Sequence, residues 1–127
     1  VYLYYGGYAR GHKVNRFEER QIGVLKIPCD RYVARAAGNT PGKIVTPLLL
    51  LDGHKLTLNA DASKGDVTVR LVDEQGGDIP GFTARKITKD GLRLAVPWEK
   101  SLKELHNRPV RIVFSLEKAR IFAFALE

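Results

Sequence analysis

Fourteen carboxylates, three histidines and one cysteine stand among the side chains of this 127-residue sequence that could do acid, base, nucleophilic or metal chemistry. Hydrolysis by protein side chains needs a positioned nucleophile and base, or two facing carboxylates. Most of the carboxylates stand in turn sequences, such as Asp52 beside Gly53 and Asp90 beside Gly91, where capping and solvation account for them. His12, His54 and His106 are far apart in the chain and lack the spacing of a ligand set. Cys29 has no second cysteine to pair with, and beside Ile27 and Pro28 it reads as a packing residue. The glycines follow turns rather than strand-to-helix junctions, so no phosphate-binding loop is present. No residue is assigned a catalytic role. Asp61 and Asp66 flank one turn, a spacing compatible with a structural calcium ion but not diagnostic of one, and no other cofactor is implied.

Binding without chemistry is better served by the residue types present. Flat rings stack on sugar faces, which brings forward Trp98, the only tryptophan, together with Tyr32 and Phe82 beside turns or irregular segments. Trp98 is also in phase with Leu92, Leu94 and Val96, so alternation favours a core position for it. Arg70, Arg93 and Arg111 each stand opposite an apolar row in the middle of a strand-like run. Side by side they would form a guanidinium stripe suited to carboxylate or sulfate groups. The simpler reading, which we favour, is a solvated sheet face whose arginine stems cover apolar surface.

The elements that must position these groups are strands. Leu56, Leu58 and Ala60 alternate with polar residues, and so do Val67, Val69 and Leu71, then Val110, Ile112, Phe114 and Leu116, followed by Phe122, Phe124 and Leu126. The segment from Ile44 to Leu51 is apolar on both faces and reads as a central strand. Asp52-Gly53 is a two-residue hairpin signal, and Asn39-Thr40-Pro41-Gly42, Lys64-Gly65, Gly76-Gly77 and Asp90-Gly91 mark further turns. One helical turn is predicted over 101–105, where Ser101 and Glu104 have capping-box spacing and Leu102 and Leu105 share a face. The fold class is all-β: an antiparallel β-sandwich, jelly-roll-like, with that single helical turn.

The formal net charge is +7, which favours polyanionic partners, but the cations are scattered and form no block, which argues against nucleic acid. The longest apolar run, from Val45 to Leu51, is far too short to cross a membrane as a helix. Residues 9–20 are polar and charged between apolar segments and read as a connection. The chain lacks methionine and opens on Val1-Tyr2-Leu3-Tyr4-Tyr5. The expectation is therefore a fragment: residues 1–20 as the closing strand and linker of a preceding domain, and residues 21–127 as the sandwich.

Three groups of segments carry a family resemblance. They are Leu3-Tyr4-Tyr5-Gly6-Gly7-Tyr8 with Arg20-Gln21-Ile22-Gly23-Val24; Leu56-Thr57-Leu58-Asn59-Ala60-Asp61 with Ile79-Pro80-Gly81-Phe82; and Val96-Pro97-Trp98 with Pro109-Val110-Arg111-Ile112 and Arg120-Ile121-Phe122-Ala123-Phe124. Their order resembles the C-terminal β-sandwich of bacterial proteins related to glycoside hydrolase family 32, preceded by a remnant of their β-propeller. In that family the propeller carries the catalytic carboxylates, and its Asn-Asp-Pro type motif has no counterpart here. The resemblance implies a secreted or periplasmic setting and a carbohydrate context.

The resulting expectation is a non-catalytic carbohydrate-binding or accessory module of a polysaccharide-degrading enzyme, with a polysaccharide or oligosaccharide and the parent catalytic domain as partners. Tyr32, Phe82 and Trp98 would stack on sugar, and Arg70, Arg93 and Arg111 would bond to it, favouring acidic glycans. The alternatives are a purely structural sandwich that stabilises its parent hydrolase and, ranked below it, a nucleic-acid-binding β domain or a small metal-dependent enzyme.

Overall fold

A computed structural model describes residues 1–10, 18 and 20–127. It divides into two units, Val1–Tyr32 and Val33–Glu127.

The first unit is a hairpin. Strand β1 (Tyr2–Tyr8) pairs antiparallel with β2 (Arg20–Lys26), from Tyr2 opposite Lys26 to Tyr8 opposite Arg20. Gly23 lies opposite Tyr5, and the tyrosine ring occupies the space that a Cβ on Gly23 would fill. The division after Tyr32 falls beyond the expected domain edge near Gln21. Alternation at Ile22 and Val24 announces a strand, but that strand pairs backward onto β1 instead of opening the sandwich. Most of the expected connection over 9–20, including His12, lies outside the described residues.

The second unit is the expected all-β sandwich of antiparallel sheets. One sheet has the order β4 (Gly42–Val45), β10 (Pro109–Glu117), β7 (Asp66–Val72), β8 (Asp78–Thr83), with β5 (Leu49–Leu50) also pairing with β10. The other runs β3 (Arg35–Ala37), β11 (Ala119–Leu126), β6 (Leu56–Asp61), β9 (Asp90–Ala95). Except at β4–β5 and the β7–β8 hairpin, successive strands change sheet, a jelly-roll-like crossing pattern. The predicted inward rows fill the space between: Leu56, Leu58, Ala60, Val67, Val69, Leu71, Val110, Ile112 and Phe114 are at most 1% exposed. Leu102 and Leu105 of the predicted helical turn, a 3₁₀ turn capped by Ser101 Oγ accepting from the Lys103 N–H at 3.3 Å, plug the core from one end.

Four local expectations are corrected. Ile44 to Leu51 is not one central strand: Pro47 interrupts it, leaving β4 and β5 as short edge pieces, with Val45, Leu48 and Leu50 exposed. Thr46 stitches the break to β10 by accepting from the Ile112 N–H at 2.9 Å and donating its own N–H to the Ile112 carbonyl at 3.0 Å. Asp52-Gly53 is not a hairpin turn but part of a crossing from one sheet to the other. Asp90-Gly91 begins β9 rather than preceding it. Finally, a register shift between Ile121 and Ala123 places Phe122 at a bulge, so Phe124 and Leu126 continue the inward row of Ile121, opposite Leu58 and Leu56.

Candidate functional site

Register decides which residues share each outer face, because residues opposed across an antiparallel ladder point to the same side. On the five-stranded sheet, Val45, Val113, Arg70 and Thr83 form one outward row, and Arg111 lies opposite Val72 in the next. Lys43, Ser115 and Thr68 make a third row. None of these side chains is aromatic. Val113 and Val72 are only 2% and 3% exposed although they are outside the core cluster. Each stands opposite an arginine, so the stems of Arg70 and Arg111 cover them.

The arginine stripe is therefore incomplete. Arg70 and Arg111 lie on neighbouring strands, but Arg93 is on β9 in the other sheet. Arg70 pairs with Asp78, Arg111 donates to the Thr46 carbonyl at 3.2 Å, and Arg93 pairs with Glu127 at 2.8 Å. Thr57, buried beneath that last pair, donates its hydroxyl to Glu127 Oε1 at 2.9 Å. Around it the outer face of the four-stranded sheet carries small residues: Ala95 and Ala125 lie opposite Thr57, and Ala123 lies opposite Asn59.

The predicted stacking trio forms no shared open platform. Phe82 is 1% exposed, so it plugs the core rather than forming a platform. Its position on β8, after the left-handed Gly81, turns the ring inward, where it meets Trp98 with centroids 5.9 Å apart and planes at 59°. Trp98 is half-buried and packed against the core, as alternation favoured. Tyr32 alone of the three is open, ending the first unit at 56% exposure. Cys29, expected to pack, is exposed, its sulfur 3.5 Å from Asp30 Oδ2.

Several carboxylates are engaged in structural contacts. Asp66 pairs with Lys86 at 2.7 Å, and Asp61 accepts from the Ser63 N–H and hydroxyl at 3.2 and 2.7 Å. The two Asp residues considered for calcium are thus engaged separately, and no cluster of three potential metal ligands occurs among the described residues. Asp73 Oδ1 accepts from the Gln75 and Gly77 N–H groups in the β7–β8 turn. The Arg93 hydrogen bond, then that of Thr57, holds the Glu127 carboxyl below the usual range; the Asp66 hydrogen bond and charge hold Lys86 above its own. Both shifts favour the charged forms, the opposite of the tuning toward neutrality that acid–base catalysis uses.

Among the described residues, concavities open on the second unit. A groove of about 570 Å³ is lined by Ile44, Phe114, Ile121, Phe122 and Phe124, with Phe114 and Phe124 rings 5.3 Å apart. A hollow of about 250 Å³ beside the 3₁₀ turn brings together Asp52, His54 and His106, two of which sequence spacing kept apart. A third, of about 240 Å³, is lined by Lys64, Lys118, Arg120 and Asp61. Its three cations were missed because each comes from a different connection or strand end, and no sequence motif links them. No protein-family model, no curated protein and no solved structure matches the chain.

Proposed function

We propose that this chain is a non-catalytic accessory module of a polysaccharide-degrading enzyme, seated on its catalytic domain through apolar surface. The observation that carries this reading is the hairpin. Tyr2, Leu3, Tyr4, Tyr5, Tyr8, Ile22, Val24 and Leu25 are all exposed, Tyr4 at 74% and Ile22 at 85%. A two-stranded hairpin is at best marginally stable in water, and so many large apolar groups on both of its faces mark a surface built to be covered. The carbohydrate context comes from the family resemblance. Between docking and sugar stacking, the outer faces favour docking, because the sheet rows described above carry no aromatic platform.

The test is dye binding and sedimentation of the 127-residue chain beside a Tyr4→Lys/Ile22→Lys variant. The expected result is strong dye fluorescence or self-association of the parent chain, both sharply reduced in the variant. A parent chain that stays monomeric and binds no dye removes the docking reading.

A further inference from the structure

We propose that the end of the sandwich where three sheet-crossing connections meet binds the carboxylate or sulfate group of an acidic sugar residue through Lys64, Lys118 and Arg120. The connections are β3–β4, β6–β7 and β10–β11, and loops at the ends of a sandwich are where rigid sheets present variable side chains to ligands. Lys64 comes from the turn over 62–65, closed by the Gly65 N–H donating to the Ala62 carbonyl at 3.2 Å. Lys118, in the left-handed region at φ 46°, is the single residue between β10 and β11, and its N–H donates to the Gly38 carbonyl at 3.0 Å. Arg120 stands on β11 between Asp61 and Ala36. All three cations line the same pocket of about 240 Å³, together with Gly38, which has no side chain, and Ala37, whose side chain is a single methyl.

The charge balance of this pocket is what selects the ligand. Three cations face one lining carboxylate, and Asp61 turns that carboxylate to Ser63. The nearby acid Asp66 pairs with Lys86 at 2.7 Å. Among the described residues no carboxylate lies within ion-pair distance of Lys64, Lys118 or Arg120. An oxyanion is the group that such an excess recognises, and arginine adds planar, two-point geometry to it. The volume is below the roughly 300–1,000 Å³ of drug-sized sites, which fits one charged sugar residue rather than an oligosaccharide. The choice of a sugar acid among oxyanions rests on the proposed carbohydrate context; the anion chemistry stands on the pocket alone.

The experiment is an NMR titration of the isotope-labelled 127-residue chain with trigalacturonate, a sulfated galactan oligosaccharide and an uncharged galactan oligosaccharide. Saturable shifts are expected at the Gly38, Gly65 and Lys118 amides with a charged oligosaccharide and none with the uncharged one; the two charged arms separate carboxylate from sulfate. Lys64→Gln/Arg120→Gln should weaken binding tenfold or more. Lys103→Gln/Arg108→Gln, which removes the same charge at the far end of β10, should change it less than twofold. Equal loss in the two double variants means diffuse charge and overturns the proposal. So do shifts confined to the Arg70–Arg111 face, or no shifts at all. That last outcome leaves the docking reading untouched, because docking is read by dye and sedimentation.

Discussion

A Cβ on Gly65 would overlap the carbonyl oxygen of Glu117 and lie 2.8 Å from the Cβ of Lys118. This approach follows from the ladder, because Asp66 and Glu117 are its last opposed pair and the chain turns away on both sides. The β6–β7 turn and the β10–β11 bend are therefore held backbone against backbone. A side chain at 65 would wedge apart the two segments that present Lys64 and Lys118.

Gly65→Ala is expected to destabilise the sandwich by about 1–3 kcal/mol, the usual range for forcing extra atoms into a packed site. Gly38→Ala is the control, since a Cβ there meets nothing within 4 Å. It should leave stability within about 1 kcal/mol of the parent. Urea denaturation of both variants checks the contrast, and equal midpoints would show that the close approach is not a constraint.

Arg70 tests whether an outer-face arginine works through its charge or its stem. The Arg70–Asp78 pair is partly solvated, with side-chain exposures of 32% and 57%, and pairs of that kind are worth about 0–1 kcal/mol. Val113, directly opposite Arg70, is 2% exposed and needs the stem as cover. Asp78→Asn should therefore cost less than Arg70→Ala, and Arg70→Met should restore most of the loss. Denaturant midpoints that fall equally for Asp78→Asn and Arg70→Ala would refute the packing account.

Alternation made the sandwich legible because each inward row sees one core, so period two survives from sequence to burial. The 3₁₀ turn was legible for the same local reason: Ser101 caps it, and Leu102 and Leu105 share its buried side. What alternation does not carry is which strand neighbours which. Arg70, Arg93 and Arg111 look equivalent in sequence, and only strand order sends Arg93 to the other sheet. Phe82 beside Pro80-Gly81 looks like an exposed turn residue, yet the left-handed Gly81 lies within β8 and the ring goes inward. The cations at 64, 118 and 120 meet through sheet crossings, for which no local periodicity exists.

The two perturbed groups contribute to opposite limbs of the pH–stability curve. Arg93 and then Thr57 lower the Glu127 carboxyl from its ordinary 4.5, so its contribution is fully present above that value. It is lost as pH falls through the lower folded value. Lys86 is raised from 10.5, first by the Asp66 hydrogen bond, so its contribution is present below 10.5 and lost as pH rises through the folded value. Glu127→Gln should flatten the acid limb alone, and Lys86→Met the alkaline limb alone. Denaturation midpoints across pH check both, and unchanged limbs would show the pairs to be without weight.

Trp98 brings the ring pairing and the hydrogen-bond ledger into conflict. Its ring packs against Phe82, but its indole N–H is buried with no hydrogen-bond partner among the described residues. An unmade buried hydrogen bond costs about 1–3 kcal/mol. Trp98→Phe keeps an aromatic partner for Phe82 while deleting the orphaned donor, so stability should change by less than about 1 kcal/mol, in either direction. Trp98→Ala removes the ring itself and should cost about 3 kcal/mol, the low end of the range for aromatic truncation because the residue is half-buried. The parent chain's only tryptophan also reports on sugar directly. A core ring keeps its fluorescence when trigalacturonate or the uncharged galactan oligosaccharide is added, whereas a ring stacked on a sugar face changes it. A saturable change with the uncharged sugar would return Trp98 to the binding surface.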